Sequence, residues 1–386
     1  MKHVIYLDNN ATTPTAPEAI NAMIPFMRWQ FGNPSSYHIM GRLAATAVEQ
    51  AREQVAGLLG CGPGEIVFTS GGTEADNAAI CSALSADSER QGVVTSSVEH
   101  PAVIQTLNRF CPGNLAHRVG VDEYGHLDVS ALDALLRRRS DIALLSVMAA
   151  NNETGVLFQV EELAELAHEH GVLFHTDAVQ AVGKIPFAVA STKIGLLSIS
   201  SHKLHGPKGL GALYVSRRTR FHSMLVGGSQ ENRRRAGTEN VAGIVGFGVA
   251  AEMARAALAQ EQTDVANMRH QFEEAIFNAI PCVQINGDRN GRLPNTTNLR
   301  FSGVDGDRLL VELDAAGLCC SAGSACASGN SKPSHVLMAM GLSAEDAKRS
   351  LRFSFSRYNT PEEVQAAAEI VSHSINMLRR SARTAC

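Results

Sequence analysis

The sequence predicts an α/β fold built around a mostly parallel sheet. Short β-rich segments alternate with helical segments through the first part of the chain, as expected of repeated strand–helix units. Several strand segments are apolar throughout, which is typical of parallel strands covered on both faces. At 386 residues, the chain is long enough for two domains, at a loose prior of about 150 residues per domain.

The predicted strands and helices follow one another in order. The strands are predicted over residues 65–69, 92–96, 141–148, 172–175, 195–200 and 211–215. The first helix is predicted over residues 73–84, with acidic residues in its first turn, where the helix dipole favours them. Pro101 begins the next helix, because proline is tolerated in a first turn, and Gly171 ends a helix over residues 161–170.

The pattern changes in the last third of the chain. Residues 249–280 predict one long alanine-rich helix, preceded by Gly246 and Gly248, and the chain closes on a helix over residues 361–379. Between these helices, short strands are separated by glycine- and proline-containing turns. We therefore expect a domain boundary near residues 250–260.

Composition excludes several classes of protein. Lys+Arg 34 against Asp+Glu 38 gives 34 − 38 = −4, which excludes the strongly basic surface of a general nucleic-acid binder. The 8 cysteines are too few for a disulfide scaffold and are expected to be reduced thiols. The longest apolar stretch, residues 241–251, falls short of the roughly 20 residues that a bilayer requires. We expect a soluble cytoplasmic protein with no nucleic-acid or membrane partner.

Two residues after predicted strands indicate an aldehyde cofactor. Lys203 follows the strand over residues 195–200, at the end where strands of an α/β sheet face a ligand crevice. A desolvated amine there could form an imine, although most lysines on loops are simply solvated. Asp177 follows another apolar strand and could pair with the protonated nitrogen of a pyridine ring, or merely cap the next helix.

Weaker signals surround these two residues. Gly72 and Thr73 open a helix after a glycine loop, an arrangement that can bind phosphate but is often a plain turn. His100 could stack on a ring or move protons, and Asn152 could bind a cofactor oxygen or a substrate carboxylate. Each also has an ordinary structural explanation, as a lone histidine or an Asn-rich turn.

A loop of small residues at about 319–332 contains Cys319, Cys320 and Cys326. Little side-chain packing would hold Cys326 in place, as expected of a nucleophile that travels. A thiolate can attack another sulfur atom and be left as a persulfide. A zinc site is disfavoured, because the loop has no Cys-x2-Cys pair.

Taken together, the motifs resemble those of the NifS/IscS-type cysteine desulfurases, which are class-V aminotransferases of PLP fold type I. The resemblance rests on YLDNNATT at 6–13, FGNPSS at 31–36, VEHPA at 98–102, NNETG at 151–155, HTDAVQ at 175–180, SSHKLHGPKG at 200–209, RAGTEN at 235–240, SAC at 324–326 and RFSFSRY at 352–358. It implies a large domain of residues 16–255 with a mostly parallel sheet, and a smaller α/β domain of residues 1–15 and 256–386 that carries the cysteine loop.

The resemblance also implies roles in binding pyridoxal 5′-phosphate. Lys203 resembles the imine-forming lysine, Asp177 the partner of the ring nitrogen, and Gln180 the contact to the phenolic oxygen. His100 resembles the histidine that stacks on the ring and assists proton transfer. The phosphate cradle would consist of Gly72, Thr73, Ser200 and His202. Thr238 resembles a residue that reaches the phosphate from the other subunit of a homodimer.

The remaining implied roles concern the substrate and sulfur. Arg352 and Asn152 would bind the substrate carboxylate, with Asn152 also at the cofactor. Cys326 would be the nucleophile, and a candidate iron–sulfur ligand through its persulfide. Cys319 and Cys320 differ from the small residues expected there, which leaves open whether Cys326 is the loop's only reactive thiol.

The activity implied by this resemblance is desulfuration of L-cysteine, giving L-alanine and a persulfide on Cys326. The sulfur would pass to an iron–sulfur scaffold or another acceptor protein, for general cluster assembly or for nitrogenase. Two alternatives stay open: a selenocysteine lyase or transaminase of the same fold, and a thiol-based metal- or redox-binding protein.

Overall fold

The computed structural model describes residues 4–322 and 332–384. Cys326 lies outside the described residues. The strands are β1 (Ile5–Tyr6), β2 (Ile66–Thr69), β3 (Gly92–Ser96), β4 (Ala116–Val119), β5 (Ile142–Ser146), β6 (Leu173–Asp177), β7 (Leu196–Ser200), β8 (Gly211–Val215), β9 (Val283–Ile285), β10 (Thr296–Phe301), β11 (Leu318–Cys319) and β12 (Ser350–Ser354). The helices are α1 (Pro17–Arg28), α2 (Ile39–Leu59), α3 (Gly72–Ala86), α4 (Pro101–Phe110), α5 (Val129–Arg138), α6 (Val160–Glu169), α7 (Val241–Ala256), α8 (Leu258–Gln260), α9 (Ala266–Ala279), α10 (Gly306–Ala315), α11 (His335–Ala339), α12 (Ala344–Lys348) and α13 (Pro361–Thr384).

A seven-stranded sheet has the strand order β2-β8-β7-β6-β5-β3-β4. Neighbouring strands from β7 to β4 are parallel, whereas β8 is antiparallel to both β7 and β2. Strands β2, β3, β5, β6 and β7 therefore run in one direction, and their carboxyl ends share one edge of the sheet. The predicted α/β fold with a mostly parallel sheet is confirmed.

The long helix predicted over residues 249–280 differs from the observed structure. Helix α7 already begins at Val241, where the side chain of Asn240 accepts a hydrogen bond from the amide of Gly243 (3.1 Å). Gly248 lies inside α7, and it packs closely against α2, since a Cβ there would come within 2.6 Å of the Cα of Ala51. The helix ends at Ala256 and is followed by α8, a π-helical turn and α9. Among the described residues no single helix is long and apolar enough to span a membrane. Within the same residues, α7 together with the segment Leu258–Ala279 is long and apolar enough as a pair, by length and composition alone, and the two are bent by 57° relative to each other.

A second apolar cluster lies around the three-stranded antiparallel sheet β12-β10-β9. The ring of Phe272 in α9 packs against Phe353 in β12, with 4.9 Å between ring centroids. Ile5 and Leu7, near the N-terminus, are buried in the same cluster, so these two residues pack with the C-terminal part of the chain. The domain boundary itself, between residues 255 and 256, stays a prediction.

Candidate active site

A cavity of about 590 Å³ lies at the edge of the large sheet where the carboxyl ends of the strands meet. Loops after the parallel strands form most of its wall, and β12 and the N-terminal segment add Arg352 and Asn10. The predicted site residues that line it are Gly72, Thr73, His100, Asn152, Asp177, Gln180, Ser200, His202, Lys203 and Arg352. The cavity therefore brings together residues from widely separated parts of the sequence.

Lys203 ends a short 3-10 turn directly after β7. Its Nζ donates hydrogen bonds to the main-chain oxygens of Asn10 and Ala11, the latter at 2.8 Å. Burial lowers the pKa of Lys203 to about 7, and the positive charges of Lys184 and Arg352 contribute to this decrease. Near neutral pH a substantial fraction of the amine is therefore unprotonated and nucleophilic.

Two buried carboxyl groups and one imidazole meet on another wall of the cavity. Polar atoms of Asp177, Asp76 and His100 lie within 4.8 Å of one another. Burial raises the pKa of both carboxyl groups, and for Asp76 the charge of Asp177 adds to the effect. Because two carboxylates at this distance repel each other, ionisation of one makes ionisation of the other less favourable.

His100 is held in a defined orientation by the helix that it caps. Its Nδ1 accepts a hydrogen bond from the amide of Ala102 (3.1 Å), at the start of α4. Desolvation lowers the pKa of His100, and in the neutral ring the proton is then on Nε2. His100 can therefore offer an N–H group to the cavity at neutral pH.

The start of helix α3 borders an adjoining cavity of about 360 Å³. Gly72, Thr73, Ser200 and His202 line both cavities. A Cβ at Gly72 would lie 2.7 Å from Cγ2 of Val179, so a glycine is needed there. Burial lowers the pKa of His202 to about 4. Free amides at a helix start, a hydroxyl group and a neutral imidazole together suit a phosphate group.

Arg352 is almost completely buried, and its guanidinium group is held by two neighbours. Its Nη2 pairs with Asp8 (2.6 Å) and its Nη1 donates to the main-chain oxygen of Asn152 (3.0 Å). Its Nε has no hydrogen-bond partner within residues 4–322 and 332–384. Arg352 lines the cavity, and a guanidinium group there is suited to binding a carboxylate.

Comparison with known proteins agrees with this geometry. The family profile described as aminotransferase class-V matches residues 5–367. The chain is 47% identical to the cysteine desulfurase NifS of Azotobacter vinelandii over 97% of this chain and 93% of that protein. The solved structure of a NifS-like protein superposes with a TM-score of 0.91 at 34% identity, over 97% of this chain and all of that one. A structure titled "SspA in complex with cysteine" gives 0.81 at 33% identity, over 92% of this chain and 99% of that one.

The chain belongs to the class-V aminotransferases. Within them it is a NifS/IscS-type cysteine desulfurase, as the identity to NifS over nearly the full chain shows. The family depends on pyridoxal 5′-phosphate. The residues present fit this group: an amine with a lowered pKa, a buried carboxyl group in the same cavity, and a helix start whose free amides suit a phosphate.

Two predicted residues are not part of the cavity wall as described. Thr238 is exposed and lines neither of the two cavities at the sheet edge. Cys326 lies outside the described residues, but the chain on either side of it borders the cavity at Ser321 and His335. The main chain of Ser321 is paired with that of Arg352, so the segment that precedes Cys326 in the sequence borders the cavity. The roles of both residues stay predictions.

Cys319 and Cys320 are both only partly exposed. Burial raises the pKa of each thiol above its usual range, and the negative charge of Asp8 adds to this effect. Neither thiol is therefore a ready nucleophile at neutral pH. The one group in the described ranges that could hold a metal ion by spacing contains Asp76, His100 and Asp177, and no cysteine.

Sequence reasoning missed several cavity residues of this desulfurase. Asn10 lies in a motif that carried the family resemblance, but its main-chain oxygen, which accepts from Lys203, has no sequence signal. Asp76 has only one signal in the sequence, its place among the acidic residues in the first turn of the helix predicted over residues 73–84. His335, whose Nε2 donates to the main-chain oxygen of Glu99 (3.0 Å), follows the cysteine loop, and that position was its one available signal.

Proposed function

We propose that this chain removes sulfur from L-cysteine, with Lys203 as the residue that holds pyridoxal 5′-phosphate and Cys326 as the residue that receives the sulfur. One observation carries the proposal: a single cavity joins the Lys203 amine, the Asp177 carboxyl group and the Arg352 guanidinium. These are the three groups needed for an aldehyde, a pyridine nitrogen and a substrate carboxylate, respectively.

Bound in this cavity, the cofactor would supply an electron sink for the charge left when bonds at the substrate are broken. The carboxylate of Asp177 would pair with the ring nitrogen, and its orientation is set by the amide of Val179, which donates to Oδ1 (3.0 Å). The start of α3 would hold the phosphate. His100, with its Nε2 proton, would contact the ring.

The substrate would be oriented through its carboxylate. Arg352 would bind that group, with its guanidinium already held by Asp8 and by the main chain of Asn152. With a pKa of about 7, the amine of Lys203 can both accept and return a proton near neutral pH. We assign to it the movement of the proton at the α-carbon of L-cysteine.

The sulfur would leave as a persulfide of Cys326. The thiolate forms a bond to the substrate sulfur, the carbon–sulfur bond breaks, and the carbon left behind gains a proton, so that L-cysteine and the thiol become L-alanine and the persulfide. Cys326 is five residues from Ser321 in the sequence. At roughly 3.3–3.6 Å per extended residue, five residues can span up to about 17 Å, so Cys326 is close enough along the chain to reach the cavity.

We further propose that the active form is a homodimer, in which Thr238 of one copy reaches the phosphate site of the other. Support comes from large apolar side chains that are exposed in one segment of the chain: Met27 at 68%, Trp29 at 54%, Phe31 at 77% and Tyr37 at 96%. Apolar groups concentrated in this way indicate a surface that another protein covers. The sulfur acceptor would be a separate protein, such as an iron–sulfur scaffold.

The test is to trap both covalent groups in one preparation. The purified protein should show the absorbance band of a lysine-bound cofactor, and borohydride followed by peptide mass spectrometry should place that cofactor on Lys203. L-cysteine should yield L-alanine together with a persulfide on Cys326. Turnover of selenocysteine alone, or of alanine with a keto acid alone, would instead support the lyase or the transaminase. A protein without the band, or with the cofactor on another lysine, would contradict the proposal.

A further inference from the structure

Lys184 is a fully buried lysine for which the proposed reaction has no role. It follows β6 in a tight turn, where its amide donates to the main-chain oxygen of Ala181 (3.0 Å), and it is 6% exposed. The small space beside it measures about 10 Å³, which is too little for a ligand. Burying an ammonium group is unfavourable unless hydrogen bonds compensate for the lost water, so the partners of Lys184 indicate its role.

Both hydrogen bonds of the Lys184 ammonium go to one residue. Its Nζ donates to the main-chain oxygen of Gln180 (2.9 Å) and to the side-chain Oε1 of Gln180 (3.0 Å). An ammonium group can only donate, so it selects the oxygen end of an amide. The nitrogen end of Gln180 therefore lies on the opposite side, where Nε2 donates to the main-chain oxygen of Asn10 (2.9 Å).

The oxygen of Asn10 connects this pair to the reactive amine. Lys203 donates from its Nζ to the same oxygen atom. A chain of contacts thus runs from Lys184 through Gln180 and Asn10 to Lys203. Gln180 and Lys203 both line the large cavity, whereas Lys184 does not.

We propose that Lys184 is a positioning residue that keeps the donor end of the Gln180 amide facing the carbonyl oxygen of Asn10 and the cofactor. The inference rests on the proposed function, which puts Gln180 beside the phenolic oxygen of pyridoxal 5′-phosphate. Without Lys184, the buried Oε1 of Gln180 loses its donor. The amide is then free to turn and to present an acceptor instead of a donor to that oxygen.

The charge of Lys184 acts in the same direction. The charged or titratable groups whose electrostatics couple to Lys184 are Glu261, Arg352, Lys203, His202 and His205. Burial lowers the pKa of Lys184 to about 8, so that the side chain is mostly positive at neutral pH. A fixed positive charge there disfavours a second one on Lys203, whose pKa it lowers.

The experiment is a pH titration of the cofactor absorbance in the holoenzyme without substrate. In Lys184→Met the titration midpoint should rise by about one pH unit, because both the positive charge and the fixed orientation of the Gln180 amide are lost. The cofactor should also dissociate faster on dilution. Lys348→Met replaces an exposed lysine and should titrate as the wild type does. Lys184→Gln, which keeps an N–H donor without the charge, is the second variant should Lys184→Met fail to fold. Its titration midpoint should lie above those of the wild type and Lys348→Met, because the positive charge is lost.

A double-mutant cycle separates positioning from simple loss of stability. Gln180→Leu alone should also raise the midpoint, and adding Lys184→Met to it should change cofactor dissociation far less than Lys184→Met does in the wild type. Additive effects on dissociation, or a Lys184→Met midpoint equal to that of Lys348→Met, would overturn the inference while leaving the desulfurase proposal intact. A wild-type protein without the absorbance band would instead overturn the proposed function itself.

Discussion

Replacing Arg352 gives the sharpest test of the substrate site. The guanidinium group is 3% exposed and is bound on two nitrogens, to Asp8 and to the main chain of Asn152. Arg352→Lys keeps the positive charge, and with it the pairing to Asp8, but replaces a planar fork of donors by a single ammonium group. The variant therefore removes the geometry of carboxylate binding without leaving a buried negative charge unpaired.

The expected effect follows from the loss of one hydrogen bond. The single ammonium group of the variant would hold the carboxylate with one hydrogen bond fewer than the guanidinium fork does. A hydrogen bond to a charged group contributes about 1.5–3 kcal/mol, which corresponds to roughly a 10- to 150-fold weaker binding of L-cysteine. We expect this loss in KM, with little change in cofactor absorbance, because Arg352 is assigned to the substrate and not to the cofactor.

The assay is L-alanine release as a function of L-cysteine concentration. Arg349→Lys is the matched control, since Arg349 lies on the same segment, pairs with Glu345 and does not line the cavity. Its KM should stay within about twofold of the wild type. If Arg352→Lys shows an unchanged KM together with a normal cofactor band, Arg352 does not bind the substrate carboxylate.

Three further predictions concern the amine, the thiol and the dimer. Lys203 has a pKa of about 7 in the folded chain, against 10.5 for an ordinary lysine. The unfolded chain therefore binds more protons between these two pH values, and the stability of the apoprotein should rise with pH across this window. Chemical denaturation should show that Lys203→Met flattens this rise, and an equally steep rise in the variant would assign it to other groups. Cys326→Ser should abolish persulfide formation but keep the cofactor band. Cys320→Ser should remain active, because the raised pKa of the Cys320 thiol keeps it protonated. Loss of activity in Cys320→Ser would show that this thiol takes part in the reaction. When the Lys203→Ala and Thr238→Ala variants are mixed and refolded, each hybrid dimer should contain one working site, which combines the intact Lys203 of one copy with the intact Thr238 of the other. A mixture that is no more active than the separate variants would contradict a site formed by both copies.

The sequence predicted the cavity residues best where they follow strands. Asp177 ends β6, and His100 and Lys203 come soon after β3 and β7; the carboxyl ends of parallel strands meet at one edge of a sheet. Local pattern is sufficient for such residues, because the position of each is set by the strand before it. The family resemblance added Arg352, which follows no parallel strand and reaches the cavity from a different sheet.

The residues whose roles the sequence did not predict depend on packing between distant parts of the chain. Gly248 looked like a break before a helix, but it lies inside α7, where the close approach of α2 leaves no room for a side chain. Lys184 carries no signal of its role in the sequence, and its burial is visible only in the fold. A helix pattern carries no information about which other helix will pack against it.

By itself, the sequence determined the order of strands and helices, the chemical groups available for catalysis and the family. These properties depend on local patterns and on motifs that are read along the chain. Only the tertiary structure decided which main-chain oxygens hold the Lys203 amine, which of the buried groups lie together, and in which direction each pKa moves. The physical reason is that desolvation and charge–charge interactions depend on distances in space, between residues as far apart in the sequence as Asp8 and Arg352.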